Sequence, residues 1–180
     1  MDRPQRVVVS GIYYLPVGRS RHYLANAPRA LDYVVGGWTL GAIYQAESGA
    51  PLNWGNIIFT GNLSDIALSG SKRTVQEWFN VSAGFNTVTA QQLANNIRTF
   101  PNFLSSVRAD GINNWDLSLY KGFQFHEKLN LELRAQASDA LNHPQFSAPN
   151  TTPTSPAFGQ VTSTVAAQQR VITVGARLKF

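Results

Sequence analysis

The sequence predicts an all-β fold: antiparallel up-and-down strands forming part of a transmembrane β-barrel, with about five long strands and long loops that carry short helices. Three observations predict it. Five segments alternate apolar and polar residues with period two, the side-chain period of a strand and not of a helix. Those segments run about 10–13 residues, whereas globular strands average about 5–6. Only 14% of the 180 residues are charged although 43% are hydrophobic, against roughly 25% charged in an ordinary soluble domain.

The first strand is expected over Arg6 to Leu15. Val7, Val9, Tyr13 and Leu15 share a side, but Val8, Ile12 and Tyr14 oppose them, so its pattern is the weakest. The second, Trp38 to Ala46, sets Trp38, Leu40, Ala42, Tyr44 and Ala46 against Thr39, Gly41, Gln45 and Glu47, with Ile43 breaking the polar side. The third, Trp115 to Phe125, puts Trp115, Leu117, Leu119, Phe123 and Phe125 on one side, interrupted by Lys121. The fourth is the clearest: Leu129, Leu131, Leu133, Ala135 and Ala137 alternate with Asn130, Glu132, Arg134, Gln136 and Ser138. The fifth, Arg170 to Phe180, alternates Ile172, Val174, Ala176, Leu178 and Phe180 with Thr173, Gly175, Arg177 and Lys179. At roughly 3.3 Å per residue, 12 residues tilted by about 40° project to about 30 Å, the thickness of a bilayer's hydrocarbon core.

The connections differ in kind. Residues 124–128 form a tight turn, whereas 143–168 and 50–112 are long, and 16–36 is intermediate. With Phe180 on the periplasmic side, the short turn lands inside and both long loops land outside, as in outer-membrane barrels. Within the connections, short helices are expected over 29–35, over 75–79, and from a capping box at Thr89 to Gln92 onward to Ile97. The loop aromatics, among them Trp54, Phe59, Trp78, Phe79, Phe85 and Phe100, are expected to form the loop's own small core. Trp54, Trp78 and Phe79 are kept as candidate ligand contacts. Trp38, Trp115, Tyr13, Phe123, Phe125 and Phe180 fit an aromatic girdle at the membrane interfaces.

Several function classes drop out. Cysteine is absent, which removes disulfides, thiolate metal clusters and thiol nucleophiles. The net charge is +5 and the isoelectric point near 9.8, but the basic residues are scattered in ones and twos, so no nucleic-acid partner is expected. His22, His126 and His143 stand outside metal-ligand spacing. Asp139 and His143 read as part of a strand-ending turn before Pro144, not as an acid–base pair. No Gly-x-Ser-x-Gly elbow or Gly-rich phosphate loop occurs. The expectation is a non-enzyme with no cofactor, metal or catalytic residue.

The last eight residues, Thr173-Val174-Gly175-Ala176-Arg177-Leu178-Lys179-Phe180, resemble the C-terminal signal of outer-membrane barrels. The resemblance implies recognition by the barrel-assembly machinery through Thr173, Gly175, Leu178 and Phe180. Three further stretches, Asn114 to Phe123, Ala140 to Phe146 and Gly36 to Pro51, together resemble the C-terminal barrel portion of TonB-dependent receptors. The group resembled is the Oar-like one, with a carboxypeptidase-regulatory-like N-terminal domain. The family's usual aromatic and Asn before the Ala-Leu-Asn-His-Pro run are replaced here by Ser138-Asp139.

The resemblance implies that residues 1–180 are the C-terminal segment of a barrel of about 22 strands, whose signal peptide, plug and TonB box lie elsewhere. It implies an outer-membrane location, outer-membrane lipid and the rest of the receptor as partners, and TonB through that receptor. The implied function is uptake of a bulky solute. In such a barrel Leu117, Leu119, Leu129, Leu131, Leu133, Ile172 and Val174 face lipid, and Glu47, Glu132, Arg134 and Gln136 line the lumen. Two other architectures compete. A small complete outer-membrane barrel or adhesin of about eight strands needs three more strands within 16–36 and 50–112. A soluble ligand-binding β-barrel needs Leu129, Leu131 and Leu133 turned inward.

Overall fold

The structure is a computed structural model and describes residues 3–92, 98–126, 129–165 and 169–180. The chain divides into two compact units. One comprises Val7–Ala46, Asn113–Pro144 and Ala167–Phe180; the other Met1–Arg6, Glu47–Ile112 and Gln145–Ala166.

The first unit is built on a five-stranded sheet. Its strands are β1 (Arg6–Tyr14), β2 (Trp38–Glu47), β5 (Ile112–His126), β6 (Leu129–Ser138) and β7 (Val171–Lys179), paired in the order β1-β2-β5-β6-β7. Each long strand therefore lies beside its predecessor, the up-and-down order. All five expected strands are present, including the weakly patterned first. β5 is longer than expected at 15 residues, and β1 and β7 are shorter at 9. Nine or ten residues at roughly 3.3 Å reach about 30 Å, and a tilt of about 40° leaves about 24 Å, close to the apolar band of outer-membrane barrels.

The β5/β6 and β6/β7 pairings are antiparallel. β5 meets β6 as Leu117↔Ala137 through Gln124↔Asn130, with a bulge before His126↔Leu129. β6 meets β7 as Asn130↔Lys179 through Ser138↔Val171. The backbone bonds Leu15 N–H to Trp38 O and Ser48 N–H to Gln5 O set the β1/β2 register. Between β2 and β5, Gly41 faces Ser118 and Gly37 faces Gly122, and the Tyr44 and Trp115 rings lie 4.6 Å apart.

The β1–β2 connection contains α1 (Arg29–Val35), as the sequence predicts. Pro28 precedes it in extended conformation, where its missing N–H costs nothing. Gly36 N–H closes the last turn on Asp32 O, and Gly37 follows at φ 71, a left-handed exit that favours glycine.

The second unit holds a two-stranded antiparallel sheet, β3 (Pro51–Asn53) with β4 (Phe103–Arg108), which does not join the five-stranded one. Its core is aromatic. Trp54, 1% exposed, stacks on Phe85 at 5.5 Å and meets Phe79 and Phe100 edge-on at 4.9 and 5.4 Å. Phe79, 0% exposed, also meets Phe158 at 5.2 Å. Burying each such ring stabilises by roughly 1.5–3 kcal/mol, with about 0.5–1.5 more for an edge-to-face pair.

Two expected helices differ. Over 75–79 the chain forms an irregular turn: Thr74 N–H donates to Glu77 O and Glu77 N–H to Thr74 Oγ1. Successive Trp78 and Phe79 are both drawn into the core, and that tertiary demand overrides helix formation. At Thr89 only a single 3₁₀ turn, Thr89–Gln91, forms. Gln92 is already extended, its side-chain amide donating to Asn86 O at 2.9 Å, a local bond that competes with the helix ladder. Residues 93–97 of that expected helix lie outside the described residues.

Phe79→Ala is expected to destabilise the second unit by about 3–5 kcal/mol, read as a lowered urea midpoint by tryptophan fluorescence. Gly84 sits at φ 124, and a Cβ there would come within 2.5 Å of the Gly61 nitrogen. Gly84→Ala is therefore expected to lower the same midpoint, combining backbone strain with a backbone clash.

Candidate functional site

The sheet's two faces follow from its register. The row Leu40, Leu119, Ala135, Val174 crosses four strands on one face, and Leu117, Ala137, Ile172 forms the next row. Leu129, Leu131 and Leu133 lie on this face with Leu178 and Phe180. Much of it is exposed: Val174 is 77% and Phe180 98% accessible. A soluble domain rarely leaves so large a contiguous apolar surface bare.

Lys121 falls in the middle of this face, opposite Leu133, and is nonetheless only 3% exposed. Its Nζ lies 5.0 Å from the centre of the Trp38 ring and 4.8 Å from that of Phe123, and it donates to Gly36 O just past α1. The ammonium is thus shielded by two ring faces and satisfied by a backbone carbonyl. α1 itself is tied down by Trp38 Nε1–H donating to Val34 O at 2.9 Å and by Tyr33 stacked on Phe125 at 6.1 Å.

The opposite face is polar. Gln136 donates to Tyr120 Oη at 3.1 Å, and Glu132 pairs with Lys179 at 3.5 Å. Arg134 lies directly across from Gly175, where a Cβ would stand 3.1 Å from Arg134 Nε. Gly175 therefore makes room for the guanidinium stem. This face carries two hollows. One, about 650 Å³, is lined by Ile12, Tyr14, Thr39, Ile43 and Tyr120. The other, about 320 Å³, is lined by Asp116, Ser118, Gln136, Ser138 and Thr173. Their mixture of hydroxyl, amide and carboxylate groups suits contact with water, a polar solute or another polar protein surface.

Glu132, Arg134 and Gln136 are brought together on this face with Thr173 and Gly175. Glu47, the other residue expected to line the lumen, has a side chain only 8% exposed, clamped by Arg3 and by Arg6 at 3.7 Å. Satisfied by two guanidiniums, it serves as an anchor for the segment before β1. The expected ligand contacts Trp54, Trp78 and Phe79 are corrected. All three are buried, and Trp78 Nε1–H is spent on Arg108 O at 2.8 Å. Packing against Phe85, Phe100 and Phe158 removes more apolar surface from water than a loop tip would allow, so they are core and not a binding platform.

Asp139 is buried at φ 46 and accepts from the backbone N–H of His143 at 2.9 Å, while its own N–H donates to Asp116 Oδ1 at 3.0 Å. The carboxylate meets the His143 backbone, which is the geometry of a turn closing β6. Period-two alternation already sets Asp116, Ser118 and Tyr120 on one side of their strand, and the cross-strand register is what makes them companions of Gln136.

Lys121→Met keeps the stem and removes the charge. It is expected to cost about 2 kcal/mol, through one lost charged hydrogen bond and two ring contacts, read as a lower urea midpoint in detergent.

A family profile described as an outer membrane beta barrel domain matches residues 1–173. No curated protein and no solved structure matches the chain. The profile spans nearly all of the five-stranded sheet whose one face is apolar and the other polar. The chain therefore belongs to the outer membrane beta barrel domain family and is a protein of the outer membrane.

Proposed function

We propose that this chain supplies wall strands and outer loops of a TonB-dependent outer-membrane transporter of the Oar-like group, for uptake of a bulky solute. The observation that carries the reading is the open two-faced sheet. Its five long strands are fewer than the eight of the smallest such barrels. Both β1 and β7 keep an unpaired edge among the described residues. An unpaired edge inside hydrocarbon is costly, so further strands must flank it. The C-terminal segment and the three resembling stretches supply the transporter assignment. Leu117, Leu119, Leu131, Leu133, Ile172 and Val174 then meet lipid; Glu132, Arg134 and Gln136 face the lumen. Ile12, Tyr14 and Ile43 give that polar face an apolar patch, suited to packing against a plug domain. Phe180 and Leu178 present the ridge for the barrel-assembly machinery. Passage is gated binding, with no catalytic step.

A small self-contained barrel is the second reading, since the family profile names an outer membrane beta barrel domain without naming a transporter. The two are separated by the product that carries this segment. Co-purification of that product, plug included, with the periplasmic domain of TonB supports the transporter. A purified 180-residue chain that alone forms a heat-modifiable, detergent-resistant barrel overturns it in favour of the small barrel.

The faces are testable independently, because the chain has no cysteine. A single cysteine at Leu133 or Val174 is expected to resist a membrane-impermeant maleimide in vesicles, and one at Gln136 or Thr173 to react. Equal labelling of the two sets overturns the assignment of faces.

A further inference from the structure

We propose that the hollow beside α1 binds the phosphate of an anionic glycerophospholipid in the periplasmic leaflet; this rests on the apolar face meeting lipid. The hollow measures about 480 Å³ and is lined by Arg19, Arg29, Asp32, Tyr33, Gln124 and Phe125. It joins charge to an apolar surface. Phe125 stacks on Phe123, which shares the apolar face with Leu131 and Leu178, so the hollow continues that face at the end where β1 leads to β2 and β5 to β6.

The charge is unbalanced toward cation. Asp32 is the one carboxylate lining the hollow, and its Oδ1 accepts the backbone N–H of Arg19 at 2.6 Å. Neither the Arg19 nor the Arg29 guanidinium is paired with a carboxylate among the described residues. Two arginines lining one hollow supply the guanidinium chemistry that recognises phosphate. A free phosphate would need only those guanidiniums. The acyl-chain side is what selects a lipid: Leu31 and Val34 of α1 are exposed, at 41% and 66%, beside the two arginines. Apolar residues next to arginines are the pattern of a segment lying in the headgroup zone. Lys121, donating to Gly36 O, fixes the end of α1 beside the sheet, and Asp32 of α1 holds the Arg19 backbone N–H, so both arginines stay at the hollow.

The test is native mass spectrometry of the full chain in detergent micelles, titrated with phosphatidylglycerol, phosphatidylcholine or inorganic phosphate. Phosphatidylglycerol is expected to be retained in preference to phosphatidylcholine. Arg19→Ala with Arg29→Ala is expected to weaken that retention roughly thirtyfold, since each basic residue near an anionic surface is worth about a factor of five. Arg19→Lys with Arg29→Lys should restore most of it, which separates loss of charge from misfolding. Equal retention of the two lipids, or an alanine pair that binds like the parent, overturns the proposal and leaves the lipid-facing assignment standing. Displacement of the lipid by millimolar inorganic phosphate would make the ligand a soluble phosphate and overturn it too. A chain that stays in solution without detergent overturns the lipid-facing assignment and this site together.

Discussion

Inside a bilayer every backbone N–H and C=O needs a partner within the protein, and in this chain that partner is the neighbouring strand. The rest of the sheet depends on the register of those ladders. Because side chains alternate with period two, a slip of one residue would bring Glu132 and Arg134 to the face of Leu131 and Leu133. Several contacts hold the register. Gly41 accommodates Ser118, Gly175 accommodates the Arg134 stem, and Tyr44 packs on Trp115. Each fits only one alignment of its two strands.

The second unit answers a different problem. Its connections are long, and long connections without internal order are uncommon in compact proteins. This one is ordered by its own aromatic cluster around Trp54, Phe79 and Phe85. The glycines at 61 and 84 let two backbone segments approach closely enough for the cluster to close. A wall strand is thus ordered by its neighbours' backbone, and the loop unit by ring packing. That difference explains why charge is scarce on one face of the sheet while the buried rings of the loop unit pack against one another.

Lys121 links the sheet's apolar face to α1. A cation on a lipid-facing surface is expensive unless it is shielded and bonded. Trp38, Phe123 and the Gly36 carbonyl meet both demands, and the same contact folds the β1–β2 connection back along the apolar face. The outcome is a connection that is more than a turn: it brings Arg19 and Arg29 to one hollow and carries a short helix with exposed Leu31 and Val34.

All five long strands and α1 were legible in the sequence, because period-two alternation and a Pro-to-Gly bracketed helical run are local properties. Alternation also decided which residues of β6 and β7 share a face. The helix expected over 75–79 and the α-helical start expected over Thr89 to Gln92 were not legible correctly. There, local propensity was overridden by the burial of Trp78 and Phe79 and by the Gln92 side chain. The sequence favoured a small core for the loop aromatics, and long-range packing buried Trp54, Trp78 and Phe79 in it, removing them as ligand contacts. Glu47 kept its place in the alternation, yet was claimed by Arg3 and Arg6, more than forty residues away in sequence. The sequence by itself determined the elements and the two-faced character of each strand, since both follow from neighbours a few residues apart. The tertiary structure decided the strand register, the company of Lys121 and the burial of the loop rings, since these arise between segments that only the folded chain brings together.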